Sequence, residues 1–224
     1  MRTGLSISFR RHVPTRALAI AAVLLAGALA AITPLEALAA TPYNTNLVKN
    51  RGAENGLAHW DTFPSGDFRT HAYGPSGLGF PSRATAHSIG GGTYFFYAGP
   101  YDTTYGTCGD ANQEWTLTGL GSAIDGGHVQ VHLTGYAGTN GSPLINAHLD
   151  LYFRNASNHS VASNGITKTA TGTNEAYRRF SVSKVLSKHT RILRLHLWAD
   201  GDGTISSGDC QAFWDNLSVV LKHV

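Results

Sequence analysis

The strongest signal along the chain is a two-residue alternation of apolar and polar positions. Ile145, Ala147, Leu149, Leu151 and Phe153 alternate with Asn146, His148, Asp150 and Tyr152 without a break. A strand sends successive side chains to opposite faces, so this pattern predicts a strand with one face in a core and the other toward water. Val129, Val131 and Leu133 alternate in the same way with Gln130, His132 and Thr134. So do Leu193, Leu195 and Leu197 with Arg194, His196 and Trp198, and Leu217, Val219 and Leu221 with Ser218 and Val220. Weaker alternation predicts further strands at 46–49, 60–63, 69–73, 83–88, 93–97, 113–117, 165–169 and 179–182. Asn55-Gly56, Gly74-Pro75, Gly90-Gly91-Gly92, Gly126-Gly127, Asn140-Gly141 and Asn164-Gly165 supply turn chemistry between them. Helical periodicity is confined to one predicted turn at 120–124. About ten short strands with regular turns indicate an all-β protein, an antiparallel β-sandwich forming one domain over residues 41–224.

Residues 1–40 break this pattern. Arg2, Arg10, Arg11 and Arg16 precede the almost wholly apolar stretch 17–32, and Ala37-Leu38-Ala39 places small residues where a signal peptidase reads. This segment predicts a secretory signal peptide cleaved near Ala39 or Ala40, and hence an extracellular protein. The apolar run is shorter than the ~20 residues a membrane span needs, and no second run follows. Arg10-Arg11 leaves the export route open.

Cleavage also changes the electrostatics. The whole chain has a formal net charge of +3, from 17 basic and 14 acidic residues. Removing those four arginines and Glu36 leaves 13 of each sign. A neutral domain offers no long-range attraction to phosphate backbones or anionic lipid, which argues against nucleic-acid and membrane partners.

Cys108 and Cys210 are the two cysteines and have no CxxC spacing. In an oxidising compartment such a pair reads as one disulfide. It closes a long loop and is worth about 4 to 5 kcal/mol in the chain-entropy account. It also requires the segment around Cys108 to lie beside the approach to the last strand.

Both ends of the predicted domain carry family text. Asn46-Leu47-Val48-Lys49-Asn50-Arg51-Gly52-Ala53-Glu54-Asn55-Gly56, followed by Trp60, resembles the opening of galactose-binding-like β-sandwich modules. Phe213-Trp214-Asp215-Asn216-Leu217-Ser218-Val219 resembles their closing strand. That family includes cellulose- and xylan-binding carbohydrate-binding modules and the F-box-associated glycan-binding domain. The resemblance implies a jelly-roll sandwich, carbohydrate as the partner, and a structural calcium held by the residues matching its acidic positions, Glu54 and Asp215. The alternation independently puts Asp215 on the inward face of Leu217, Val219 and Leu221, where an unpaired carboxylate is costly and a cation relieves it. Pairing with Arg51, or bonds from backbone N–H groups, would serve the same end.

Sugar recognition calls for an aromatic plane together with amides, carboxylates or guanidinium groups to bond hydroxyls. The polar faces of the strong strands supply these in Tyr152, Trp198, His148, His196 and Asn146, while the loop around Tyr101 offers a competing surface. His132, His148 and His196 would form a metal or proton-transfer centre if their strands were neighbours. The run 200–209 resembles part of an EF-hand loop, but Trp198 falls on its first ligand position. The sequence has no GxSxG, HExxH or P-loop motif. The expectation is therefore a secreted, monomeric, non-catalytic protein that binds a neutral poly- or oligosaccharide. The alternatives are a structural or cell-surface interaction protein, and a hydrolase using the histidine-bearing face.

Overall fold

A computed structural model describes residues 42–63, 68–74, 79–99, 108–140, 145–161, 165–172, 176–201 and 210–224. By its contacts the chain divides into Met1–Ala40 and Thr41–Val224, and every described residue belongs to the second unit. The predicted signal peptide, Tyr101 and residues 202–209 lie outside the described residues.

Twelve elements follow in chain order: β1 (Asp61–Thr62), β2 (Arg69–Ala72), α1 (Arg83–Ile89), β3 (Tyr94–Tyr97), β4 (Ala111–Thr116), α2 (Gly121–Asp125), β5 (Val129–Thr139), β6 (Ile145–Arg154), β7 (Ile166–Thr171), β8 (Ala176–Val185), β9 (Ile192–Gly201) and β10 (Ala212–His223). The strands form two five-stranded antiparallel sheets, β1-β4-β9-β6-β7 and β2-β3-β10-β5-β8. From β3 onward every connection except the β6–β7 hairpin crosses between the sheets, which is the jelly-roll arrangement. Among the described residues no helix is long and apolar enough to cross a membrane.

The alternating apolar residues fill the space between the sheets as expected. Val131, Leu133, Leu149, Leu151, Leu195 and Leu197 are fully buried there, together with Trp214, whose Nε1–H donates to the His148 carbonyl at 2.9 Å. Cys108 and Cys210 form the predicted disulfide, with Cα atoms 5.7 Å apart, joining the entry to β4 to the entry to β10.

Two local expectations fail for identifiable reasons. Residues 83–88, predicted as a strand, lie in α1. The Ser82 hydroxyl caps it by accepting from Thr85 N at 3.2 Å. Gly90 ends it at φ 68°, with Gly91 N–H donating back to the Ala86 carbonyl at 2.8 Å. These caps satisfy the helix ends and outweigh a weak alternation of Ala and polar residues. Residues 46–49 make no strand of their own. They run beside the second half of β10, where Leu47 N–H donates to the Val219 carbonyl at 2.9 Å.

Asp215 is the third departure. The β10–β5 register shifts between Asp215 and Ser218, and Asn216 sits in the bulge at φ 50°. An extra residue reverses the side-chain parity. Asp215 therefore does not share the face of Leu217, Val219 and Leu221. It is fully buried on the opposite face, bonded to Tyr73 and close to a second aromatic cluster containing Phe95 and Phe213, over which α1 places Ala86.

Candidate binding face

The outer face of the sheet β1-β4-β9-β6-β7 gathers most of the polar residues predicted for the site. The register sets His148 opposite Trp198, Asp150 opposite His196, and Tyr152 opposite Arg194 across the β6–β9 pair. On the far side of β9, Asn112 lies opposite His196 and Glu114 opposite Arg194.

These neighbours form a connected network. Trp198 Nε1–H and the Tyr152 hydroxyl both donate to Asp150 Oδ2, at 2.8 and 3.1 Å. Asp150 is 2% exposed, and its Oδ1 has no partner among the described residues. Burial, reinforced by the Asp150 charge, pushes the Tyr152 phenol up to about 12, so it remains a neutral donor at ordinary pH. The His148 ring stacks on Trp198, with centroids 3.9 Å apart, and its Nε2 lies 3.1 Å from Asp200 Oδ2. Asn146 Nδ2–H donates to the other oxygen of Asp200 at 2.7 Å. His196 Nε2 faces Asp110 Oδ2 at 3.0 Å, and Arg194 directs two nitrogens at Glu114 Oε2.

Beside this network lies a groove of about 210 Å³, bordered by Phe63, Asp110, Tyr152, Arg194 and His196. Arg154 and Ser160 close one end. Phe63 is 45% exposed, with its ring centroid 6.4 Å from that of His196 in an edge-on arrangement. The groove thus presents an exposed aromatic ring, a phenol, guanidinium groups and a carboxylate, the mixture that binds polyhydroxylated rings.

Of the sequence-predicted residues, Tyr152 and His196 border the groove, whereas His148, Trp198 and Asn146 form the adjoining network. The three histidines do not converge. His132 lies on β5 in the other sheet, its Nδ1 2.8 Å from Ser183 Oγ, and the described residues contain no cluster of three metal-ligating side chains. Sequence reading missed Phe63, Asp110, Asn112 and Arg154. Arg154 was within reach, being one further polar step along the alternation that identified Tyr152. Phe63 and Asp110 follow and precede strands, so no periodicity assigns their direction.

The calcium expectation concerns a different place. Glu54 and Asp215 come to one loop cluster around Gly52 and Gly90-Gly91-Gly92. Glu54 Oε1 accepts from Thr93 N and Tyr94 N at 2.8 and 3.0 Å. Asp215 accepts from the Tyr73 hydroxyl and from Asn216 N, both at 2.6 Å. Burial raises the Asp215 carboxyl to about 6, with the Glu54 charge adding to the effect. A side chain at Gly91 would place Cβ 2.5 Å from Asp215 Oδ2 and 3.3 Å from the Ala86 carbonyl oxygen. Asp215 thus has the backbone N–H bond that was the alternative to a cation, and the two carboxylates beside closely approaching backbone are oxygen donors of the kind calcium takes.

No protein-family model matches the chain, and no curated protein matches it in sequence. Among solved structures it is similar to the Stig cyclase Fisc from Fischerella sp. TAU, at 12% identity and a TM-score of 0.51, over 80% of this chain and 98% of that one. It is also similar to the C-terminal family 22 carbohydrate-binding module of Clostridium thermocellum Xyn10B, at 9% identity and a TM-score of 0.44, covering 81% of this chain and 94% of that one. The enzymatically active domain of bacteriophage CBA120 tailspike protein 4 matches at 13% identity and a TM-score of 0.47, over 79% of this chain but 21% of that one. At such identities the cyclase likeness speaks to the fold alone.

Proposed function

We propose that this protein is a secreted, non-catalytic glycan-binding protein whose groove on the β1-β4-β9-β6-β7 face holds a sugar chain with a neutral backbone. The reading rests on the exposed Phe63 ring standing beside the Tyr152 phenol and the Arg194 guanidinium across a preformed groove. An aromatic ring takes the apolar face of a pyranose, and the polar groups take its hydroxyls. Asp110 faces His196 and Glu114 neutralises Arg194, which suits an uncharged backbone. Glu54 and Asp215 would hold a structural calcium that fixes the loops around Gly91.

A glycan array followed by calorimetry on the best ligand tests this reading. Wild type should bind, and Phe63→Ala should lower affinity by roughly tenfold, equivalent to losing about 1.4 kcal/mol, with an unchanged melting curve. Binding that survives in Phe63→Ala and Tyr152→Ala together would move the site elsewhere. No binding to any glycan would favour a structural or cell-surface interaction role.

A further inference from the structure

Among the described residues, the charged side chains at the groove each face a partner, with one exception. Asp110 faces His196 at 3.0 Å, and Glu114 Oε2 is held by two nitrogens of Arg194. Arg154 has no such counterpart. Among the described residues its guanidinium makes no hydrogen bond or ion pair, and its Nε is buried without a partner.

The position of Arg154 follows from the strand pattern. It ends β6 on the polar face, two residues beyond Tyr152, and bridges through its backbone to Ser160, an exposed serine at the same end of the groove. Arg154 and Arg194 both favour ionisation of the Tyr152 phenol, although burial and the Asp150 carboxylate outweigh them. A guanidinium is weakly hydrated and presents a planar fork of donors that matches paired oxygens. Half-buried and unpaired, it is an anion receptor already in place.

We infer that the Arg154 end of the groove takes an anionic substituent on the bound glycan, a uronic acid carboxylate or a sulfate ester. The inference rests on the glycan reading above and narrows its ligand: a neutral backbone carrying an acidic group at one end. Tyr152 and Phe63 hold the sugar rings, Ser160 donates to the substituent, and Arg154 supplies its counter-charge.

Calorimetry on the full-length protein tests this with two matched pairs of probes. One pair is a neutral oligosaccharide bearing a single terminal glucuronic acid and the methyl ester of that acid; the other is a mono-O-sulfated trisaccharide and its desulfated counterpart. In at least one pair the charged member should bind roughly tenfold more tightly, and added salt should weaken it more than its neutral partner. Which pair responds identifies the acid. Arg154→Gln should abolish the preference and leave the melting curve unchanged, since no intramolecular bond is lost, whereas Arg154→Lys should retain part of it. Equal binding within both pairs would overturn the inference while leaving the glycan reading intact. A preference that persists in Arg154→Gln would overturn the assignment to this residue. Failure of all four probes to bind would overturn the inference, and a blank glycan array would remove the glycan reading separately.

Discussion

Trp198 lies flat against His148, with ring centroids 3.9 Å apart and planes 10° apart. One face of the indole is therefore already covered, and its N–H is committed to Asp150. The largest aromatic side chain on this sheet face braces the groove, and the more exposed ring of Phe63 is left to meet a ligand.

Asp150 is the centre of that brace. Asp150→Ala strands the Trp198 N–H and the Tyr152 hydroxyl, and should cost about 1–3 kcal/mol. Urea denaturation should show a lower midpoint at unchanged slope. A wild-type midpoint in this variant would show that water replaces the carboxylate without loss.

The disulfide ties the start of β4 to the start of β10 across a sequence separation of 102. Replacing both cysteines with serine should lower stability by about 4 to 5 kcal/mol on the chain-entropy account. Comparing guanidinium midpoints of the oxidised protein and the double variant checks the figure. A difference below about 1 kcal/mol would indicate a denatured state that stays compact without the bond.

Calcium at Glu54 and Asp215 would be linked to stability by mass action. A hundredfold excess over its dissociation constant contributes about 2.7 kcal/mol, so removing it should lower the melting temperature by roughly 5–10 °C for a domain of this size. A scan with and without excess EDTA, repeated on Glu54→Gln, reads this directly. Identical melts in all conditions would rule out a structural role for calcium.

Asp125 supplies a pH dependence. The hydrogen bond from Arg191, aided by His189 N–H, holds its carboxyl down at about 2, below the ordinary 3.8. A depressed folded-state value means that the ionised form stabilises the fold. Its contribution is complete above the ordinary carboxylate range and disappears as pH falls from about 4 toward 2. Asp125→Asn should therefore unfold at a lower urea concentration than wild type at neutral pH, and the gap should close in acid. A gap that stays constant down to pH 2 would contradict this.

Much of this protein was legible in its sequence because strand periodicity is a local property. The four strongest alternations lie in β5, β6, β9 and β10, and their apolar members fill the core between the sheets. The polar partners His148, Asp150, Tyr152, His196 and Trp198 could thus be placed on outer faces before any neighbour was known. The cysteine pairing was equally accessible, because two cysteines allow one intramolecular bridge.

Tertiary structure alone decided which outer faces meet. His132 shares the pattern of His148 and His196, yet the jelly-roll crossings send β5 to the other sheet, which dissolves the imagined histidine centre. Helix α1 arose where alternation suggested a strand, because the Ser82 and Gly90 caps satisfied its ends. Asp215 changed face because one extra residue at Asn216 reversed the parity on which the sequence argument depended. Phe63 and Arg154 became neighbours of one groove through strand order and register, which depend on contacts between distant segments. Periodicity within a strand fixes which way a side chain points; only the packing of strands against one another fixes what it points at.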